Sequence, residues 1–143
     1  MFPEVLVSAG FVLMVDQASK TLVLMRHRAR PQSATATGLR PQLRLAFNKT
    51  LGLGLVRGSF AILFLWVFAV LGTILLIHHA PLLQMWAPRV GVGAALGGAT
   101  SNLMDWLLRG AVIDFIDLRV WPVFNLADVF IVLGVGVALW SIQ

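Results

Sequence analysis

Asp114, Asp117 and Asp128 account for three of only six acidic residues in a chain of 143, two of them in one run near the C-terminus and the third just after it. That run reads Ala111-Val-Ile-Asp-Phe-Ile-Asp-Leu118, and Phe124-Asn-Leu-Ala-Asp128 follows it. Carboxylates are costly in or beside hydrocarbon, so an acid in such a chain is a functional candidate by default. Two carboxylates brought together hold one proton between them. One then serves as base toward water while the other donates to a carbonyl or a leaving amine, the chemistry of an aspartic protease. Asp114 and Asp128 flank a turn containing Trp121-Pro122, and Pro122 fits the start of a helix. That start places Asp128 in the first turns, with Asn125 one turn before it on the same face. The plainer reading is that Asp128 caps the helix and Asp114 pairs with Arg119 or Arg109. The residues alone leave both open.

The elements that must position these acids are membrane helices. The chain is 59% hydrophobic and 12% charged, with mean hydropathy +0.88, against about 25% charge in soluble domains. A spanning helix needs about 20 mostly apolar residues. Four stretches are expected to span: about Val5 to Met25, Phe60 to Ile77, about Val90 to Leu108, and about Val123 to Ile142. The fold class expected is an all-α membrane protein of one domain covering residues 1–143, with short β-strands between the first two helices. Leu43 to Asn48 partly alternates and is the candidate strand. No cleavable signal peptide is expected, because no basic segment precedes the first apolar run.

Other chemistries find little support. With no cysteine, disulfides, thiolate metal sites, a Cys nucleophile and Cys lipidation are excluded. His78-His79 do not share a helix face and read as loop. No serine sits in an elbow motif. The net charge of +5 suits anionic headgroups; no basic face interleaved with aromatics suggests nucleic acid. A channel or transporter subunit would place its acids near the bilayer midplane, whereas Asp114 and Asp128 sit near a segment end.

Further polar groups have two readings each. Asp16 and Lys20 are i and i+4 on one helix face, in the favourable order. They are either a self-neutralised pair with Lys20 snorkelling or part of a site. Asn48 precedes a Gly-rich stretch and is either a turn former or a site residue. Asn102 and Asp105 end the third helix, where Asp105 reaches Arg109 at i+4; an ion pair or a hydrogen-bond network follows. Small residues four apart (Gly93 with Gly97, Ala94 with Gly98, Gly97 with Ser101) read as close helix packing.

In order along the chain, these motifs resemble those of lipoprotein signal peptidase, signal peptidase II. Asp16-Gln-Ala-Ser-Lys20 resembles the family's DQxxK box, and Phe47-Asn48 its FN box. Gly97-Gly98 through Asp105, then Gly110 through Asp117, resembles GGAxGNxxDRxxxGxVxDFxD, and Phe124 through Asp128 with Gly134 resembles FNxADxxIxxG. The resemblance implies that Asp114 and Asp128 are the catalytic dyad of an aspartic endopeptidase. Asp16, Lys20, Asn48, Asn102, Asp105 and Asn125 are implied supports or substrate contacts. The implied substrate is a prolipoprotein whose Cys bears diacylglycerol, cut just before that Cys, with membrane lipid as the other partner and no cofactor. A multi-pass monomer in the bacterial inner membrane is implied, its termini cytoplasmic and its site periplasmic. The chain departs from the boxes at Ser101, where the family has Gly, at Trp106, where it has Arg, and at Thr50-Leu-Gly-Leu-Gly54. Arg109 is a candidate replacement for the missing Arg. Seven of the 11 basic residues lie in the first loop, which the positive-inside rule would place in the cytoplasm. The alternatives are a non-catalytic relative that binds lipoproteins or lipids, and the channel or transporter subunit.

Overall fold

The computed structural model describes residues 3–29, 42–48, 50–51, 56–57, 66–67, 69–73 and 85–140. Three long helices dominate: an N-terminal helix (Pro3–Ala29), a glycine-rich helix (Trp86–Arg109) and a C-terminal helix (Leu126–Trp140). Of the expected second helix, 66–67 and 69–73 are helical. The rest of it, His78-His79 and Gly52–Gly54 lie outside the described residues. Strands β1 (Gln42–Asn48) and β4 (Val112–Asp117) pair antiparallel, and β2 (Thr50–Leu51) pairs with β3 (Val56–Arg57).

The polarity of the packing is inverted relative to a water-soluble domain. Asp16, Lys20, Ser101, Asn102, Asp105, Asp114, Asp117 and Asn125 are all buried, while Leu6, Val7, Phe11, Met14, Leu22, Val132, Leu133 and Trp140 point outward. Charged side chains almost never bury without partners, and so large an outward apolar surface marks a membrane contact. Among the described residues one helix, Pro3–Ala29, is long and apolar enough to cross a membrane, and Leu126–Trp140 is a shorter apolar helix.

Glycine sets how near the helices come. A Cβ on Gly97 would lie 2.4 Å from the Ala9 carbonyl oxygen, and one on Gly93 would lie 2.4 Å from that of Val5. On the other face, a Cβ on Gly98 would meet the Ala127 carbonyl oxygen at 2.6 Å, and Gly91 and Gly134 meet across the same seam. The glycine-rich helix is therefore pressed between its two neighbours, backbone to backbone, as its small-residue spacing predicts.

Several elements differ from expectation, the N-terminal helix running on to Ala29 rather than ending near Met25. The glycine-rich helix begins at Trp86, not near Val90, because Pro88 lies in the first turn, where an N–H has no intrahelical partner to lose. The C-terminal helix begins at Leu126 rather than near Val123. Phe124 is still extended there, its N–H donating to the Ile116 carbonyl (3.1 Å) and its carbonyl accepting from Ile116 N–H (2.8 Å). Pro122 thus lies in the turn rather than in the helix. The run Val112–Asp117, which lies between the third and fourth expected spans, is strand β4.

Candidate active site

Each site residue owes its place to a local feature. The glycine-rich helix ends at Gly110, whose φ of 70° is left-handed, a conformation glycine adopts freely. The chain leaves it directly into β4. Asn48 of β1 registers with Val112, so Asp114 is its diagonal neighbour on the same sheet face. Asn48 Nδ2 donates to Asp114 Oδ2 at 3.0 Å.

Past β4 the chain turns back over itself. Asp117 Oδ1 accepts the Arg119 N–H at 2.8 Å, and Arg119 takes a left-handed φ of 68°. The turn ends at the Ile116–Phe124 bridge, which brings Asn125 beside Asp114. Asn125 and Asp128 then cap the C-terminal helix reciprocally. Asp128 N–H donates to Asn125 Oδ1 (3.0 Å), and Asn125 N–H donates to Asp128 Oδ2 (3.2 Å). This is the geometry of a capping box, with Asn and Asp in the two roles.

Asn125 also joins the two acids. Its Nδ2 donates to Asp114 Oδ1 at 2.8 Å, with Asn102 Oδ1 at 3.1 Å and the Ile113 carbonyl at 3.3 Å sharing the group. Asn102 Nδ2 donates to Asp128 Oδ1 at 2.9 Å. Burial is the largest influence on Asp114 and raises its pKa from 3.8 to about 6. The Asn48 hydrogen bond opposes that rise, and the charge of Asp128 adds to it. A burial-raised carboxyl beside a second carboxylate can hold a proton while its neighbour acts as base.

Beneath the pair lies a buried ionic cluster. Lys20 Nζ, fully buried, sits 2.6 Å from Asp16 Oδ2, 2.7 Å from Asp105 Oδ2 and 3.0 Å from Asn102 Oδ1. An ammonium has three donors, and all three are used. Asp16 Oδ1 also accepts the Ala127 N–H at 2.9 Å, which caps the helix carrying Asp128 from a different helix. Asp105 Oδ2 accepts the Ile113 N–H at 3.2 Å, which ties the cluster to β4. Arg109 pairs with Asp105 and reaches Gln17 Oε1 at 3.4 Å. Two carboxylates therefore face two cations, which offsets much of the cost of burying them.

Asp16, Lys20, Asn48, Asn102, Asp105, Asp114, Asn125 and Asp128 all converge on one site. Asp128 does cap its helix, so that plain reading and the pair geometry hold together. Asp114 does not pair with Arg109 or Arg119: these guanidinium groups lie on Asp105 and Asp117. Lys20 does not snorkel, being wholly buried. Arg109 supplies a guanidinium to Asp105 where position 106 is Trp. Two participants had no site role assigned from the sequence. Ser101 Oγ donates to Asp16 Oδ2 at 2.7 Å and accepts from Gln17 Nε2 at 2.8 Å, and Gln17 Nε2 lies 2.9 Å from Asp105 Oδ1. Their signal was positional: Ser101 lies one turn after Gly97 on the packed helix face, and Gln17 lies beside Asp16.

The class of protein follows from the fold: an outwardly apolar helical bundle with its polar groups gathered inside, below a small sheet. Two solved chains, each described as a bacterial membrane enzyme, share that fold. One superposes with a TM-score of 0.78 at 19% identity, covering 99% of this chain and 88% of its own. The other gives 0.76 at 19% identity, covering 100% and 94%. The family model for signal peptidase (SPase) II matches residues 8–143. The lipoprotein signal peptidase of Moorella thermoacetica is 35% identical over 143 residues, 96% of this chain and 91% of that one. That of Thermosynechococcus vestitus is 32% identical, covering 93% and 87%. The chain belongs to the lipoprotein signal peptidase family, a family of membrane proteases.

Proposed function

We propose that this chain is an aspartic endopeptidase that removes the signal peptide of prolipoproteins, hydrolysing the bond just before a Cys that carries diacylglycerol. Asp114 and Asp128 share one proton. The ionised carboxylate takes a proton from water, and the water oxygen attacks the scissile carbonyl. The protonated carboxyl donates first to the carbonyl oxygen and then, by return of the proton, to the leaving amine. The observation that carries this reading is the bridge through Asn125, which holds the buried Asp114 and the half-buried Asp128, from different elements, beside one another. Asn48 and Asn102 hold the outer oxygens, and Asp16, Lys20 and Asp105 fix the helices behind them.

A lipid-modified substrate accounts for the inverted polarity, since acyl chains can stay in the bilayer while the scissile bond meets water at its edge. In this reading four helices span a bacterial inner membrane and the whole chain is one domain acting as a monomer. Both termini are cytoplasmic, and the pair lies at the periplasmic end. The chain has no Cys, so single cysteines at Ser33 and His79 report sidedness. Labelling from outside at 33 but not 79 is expected, and the reverse would contradict the topology. The function itself is tested by incubating the purified protein with a diacylglyceryl-modified prolipoprotein and weighing the products. A released peptide ending just before the lipidated Cys is expected. No release, or a cut elsewhere, would contradict the proposal.

A further inference from the structure

The two acids of the pair are held by unlike surroundings, and the difference traces to Lys20. An ammonium can only donate, so the Asn102 atom facing Lys20 Nζ at 3.0 Å must be its oxygen. Asn125 imposes the same choice. Its own oxygen is committed to the Asp128 N–H, so its Nδ2 is what meets Asn102 at 3.1 Å. The Asn102 amide is therefore fixed from two sides, and its Nδ2 is turned onto Asp128 Oδ1. The other oxygen of Asp128 faces a backbone N–H, that of Asn125. Both oxygens of Asp128 thus meet donors that cannot reverse, which favours the carboxylate form.

Among the described residues Asp114 meets neither a backbone donor nor an amide turned by a cation, and of its two amide donors that of Asn125 is fixed by the Asp128 N–H. Its partners are two side-chain amides, Asn48 and Asn125, on a buried strand. Among the described residues the charged groups around the pair are Asp16 and Lys20 from the N-terminal helix and Asp105 from the glycine-rich helix. β1 contributes the neutral Asn48. We infer that Lys20 is a positioning residue: through the Asn102 amide it commits Asp128 to the ionised form and leaves Asp114 to carry the shared proton. This rests on the reading of Asp114 and Asp128 as the catalytic pair.

The test is the pH profile of kcat/KM, whose acid limb reports ionisation of the base. Asn102→Leu removes the amide. Lys20→Met combined with Asp105→Asn removes the ammonium together with one negative charge, so that the cluster keeps its balance. In both, the acid limb is expected to move up by about one pH unit, the size expected for losing a hydrogen bond to a charged group. In Asp117→Asn, which meets the turn and Arg44 rather than the pair, it is expected to stay. A rate loss with an unmoved limb in the first two variants would mean that Lys20 and Asn102 are merely structural and would overturn the inference.

A second measurement does not depend on those variants folding. Infrared spectra at about pH 5 show a protonated carboxyl when a buried acid lies above its ordinary range. The band is expected to vanish in Asp114→Asn and persist in Asp128→Asn; the opposite pattern would overturn the assignment. Cleavage that survives Asp114→Asn or Asp128→Asn would instead remove the pair itself, and the inference with it.

Discussion

Gly98→Ala offers a one-carbon test of how the bundle positions its acids. The added Cβ would lie 2.6 Å from the Ala127 carbonyl oxygen and 2.9 Å from Ile131 Cγ1. The Ile131 side chain can turn away, but the Ala127 carbonyl belongs to the backbone. To reach the ordinary contact distance of 3.4 Å, the two helices must separate by 3.4 − 2.6 = 0.8 Å at that point. Ala127 directly precedes Asp128 and is itself tied to Asp16, so the displacement falls on the candidate base. A misplacement of about 1 Å costs on the order of 100-fold in rate, and overpacking costs about 1–3 kcal/mol of stability. A loss of roughly 10- to 100-fold in kcat/KM is therefore expected, with a lower Tm in detergent. Gly10→Ala is the control, since a Cβ there meets nothing within 4 Å. The reasoning is refuted if Gly98→Ala matches Gly10→Ala in both cleavage rate and Tm.

Other consequences follow from the same geometry. Cleavage should decline as pH rises through about 6, where Asp114 loses its proton; a rate unchanged from pH 5 to 8 would contradict it. The same shift has a sign for stability. Asp114 binds a proton more tightly when folded, at about 6 against 3.8, so its contribution falls as pH rises from about 4 to 6 and stays lower above that. Asp114→Asn should therefore gain stability relative to the unaltered protein between pH 4 and pH 8, by at most about 3 kcal/mol, as read by paired thermal melts. Lys20→Met alone strands Asp16 while Asp105 keeps Arg109, and should cost about 3–5 kcal/mol, visible as loss of folded protein. Asp117→Ala should cost about 1–2 kcal/mol by releasing the turn without moving the pH profile of cleavage.

Much of the site is legible in the sequence because hydrocarbon makes every polar residue conspicuous. Asp16, Lys20, Asn102, Asp105 and Asp128 stand out against apolar surroundings, and helical spacing puts the nearby ones on shared faces. The glycine spacing likewise announces close packing. Strand β4 was hidden for a physical reason. A half-exposed strand alternates, but Val112, Ile113, Asp114 and Phe115 are all buried, so no period of two survives. Its β-branched and aromatic residues between Gly110 and Pro122 were the remaining signal. Lys20 stays open between two readings for a related reason. Near a helix end a lysine ordinarily reaches for water, and only the arrival of Asp105 and Asn102 from a distant helix makes burial tolerable. The partners of Arg109 and Arg119 were likewise undecided until β4 and its turn fixed which acid each could reach.

The central claim is that Asp114 and Asp128 act as one catalytic unit. Its most direct test is kcat/KM on a diacylglyceryl-modified prolipoprotein for Asp114→Asn, Asp128→Asn and the double variant, each checked for folding by its thermal melt. Groups that act as a unit are not additive. Each single substitution is expected to abolish cleavage as completely as the pair, on protein that remains folded. Substantial cleavage by either folded single variant would contradict the account.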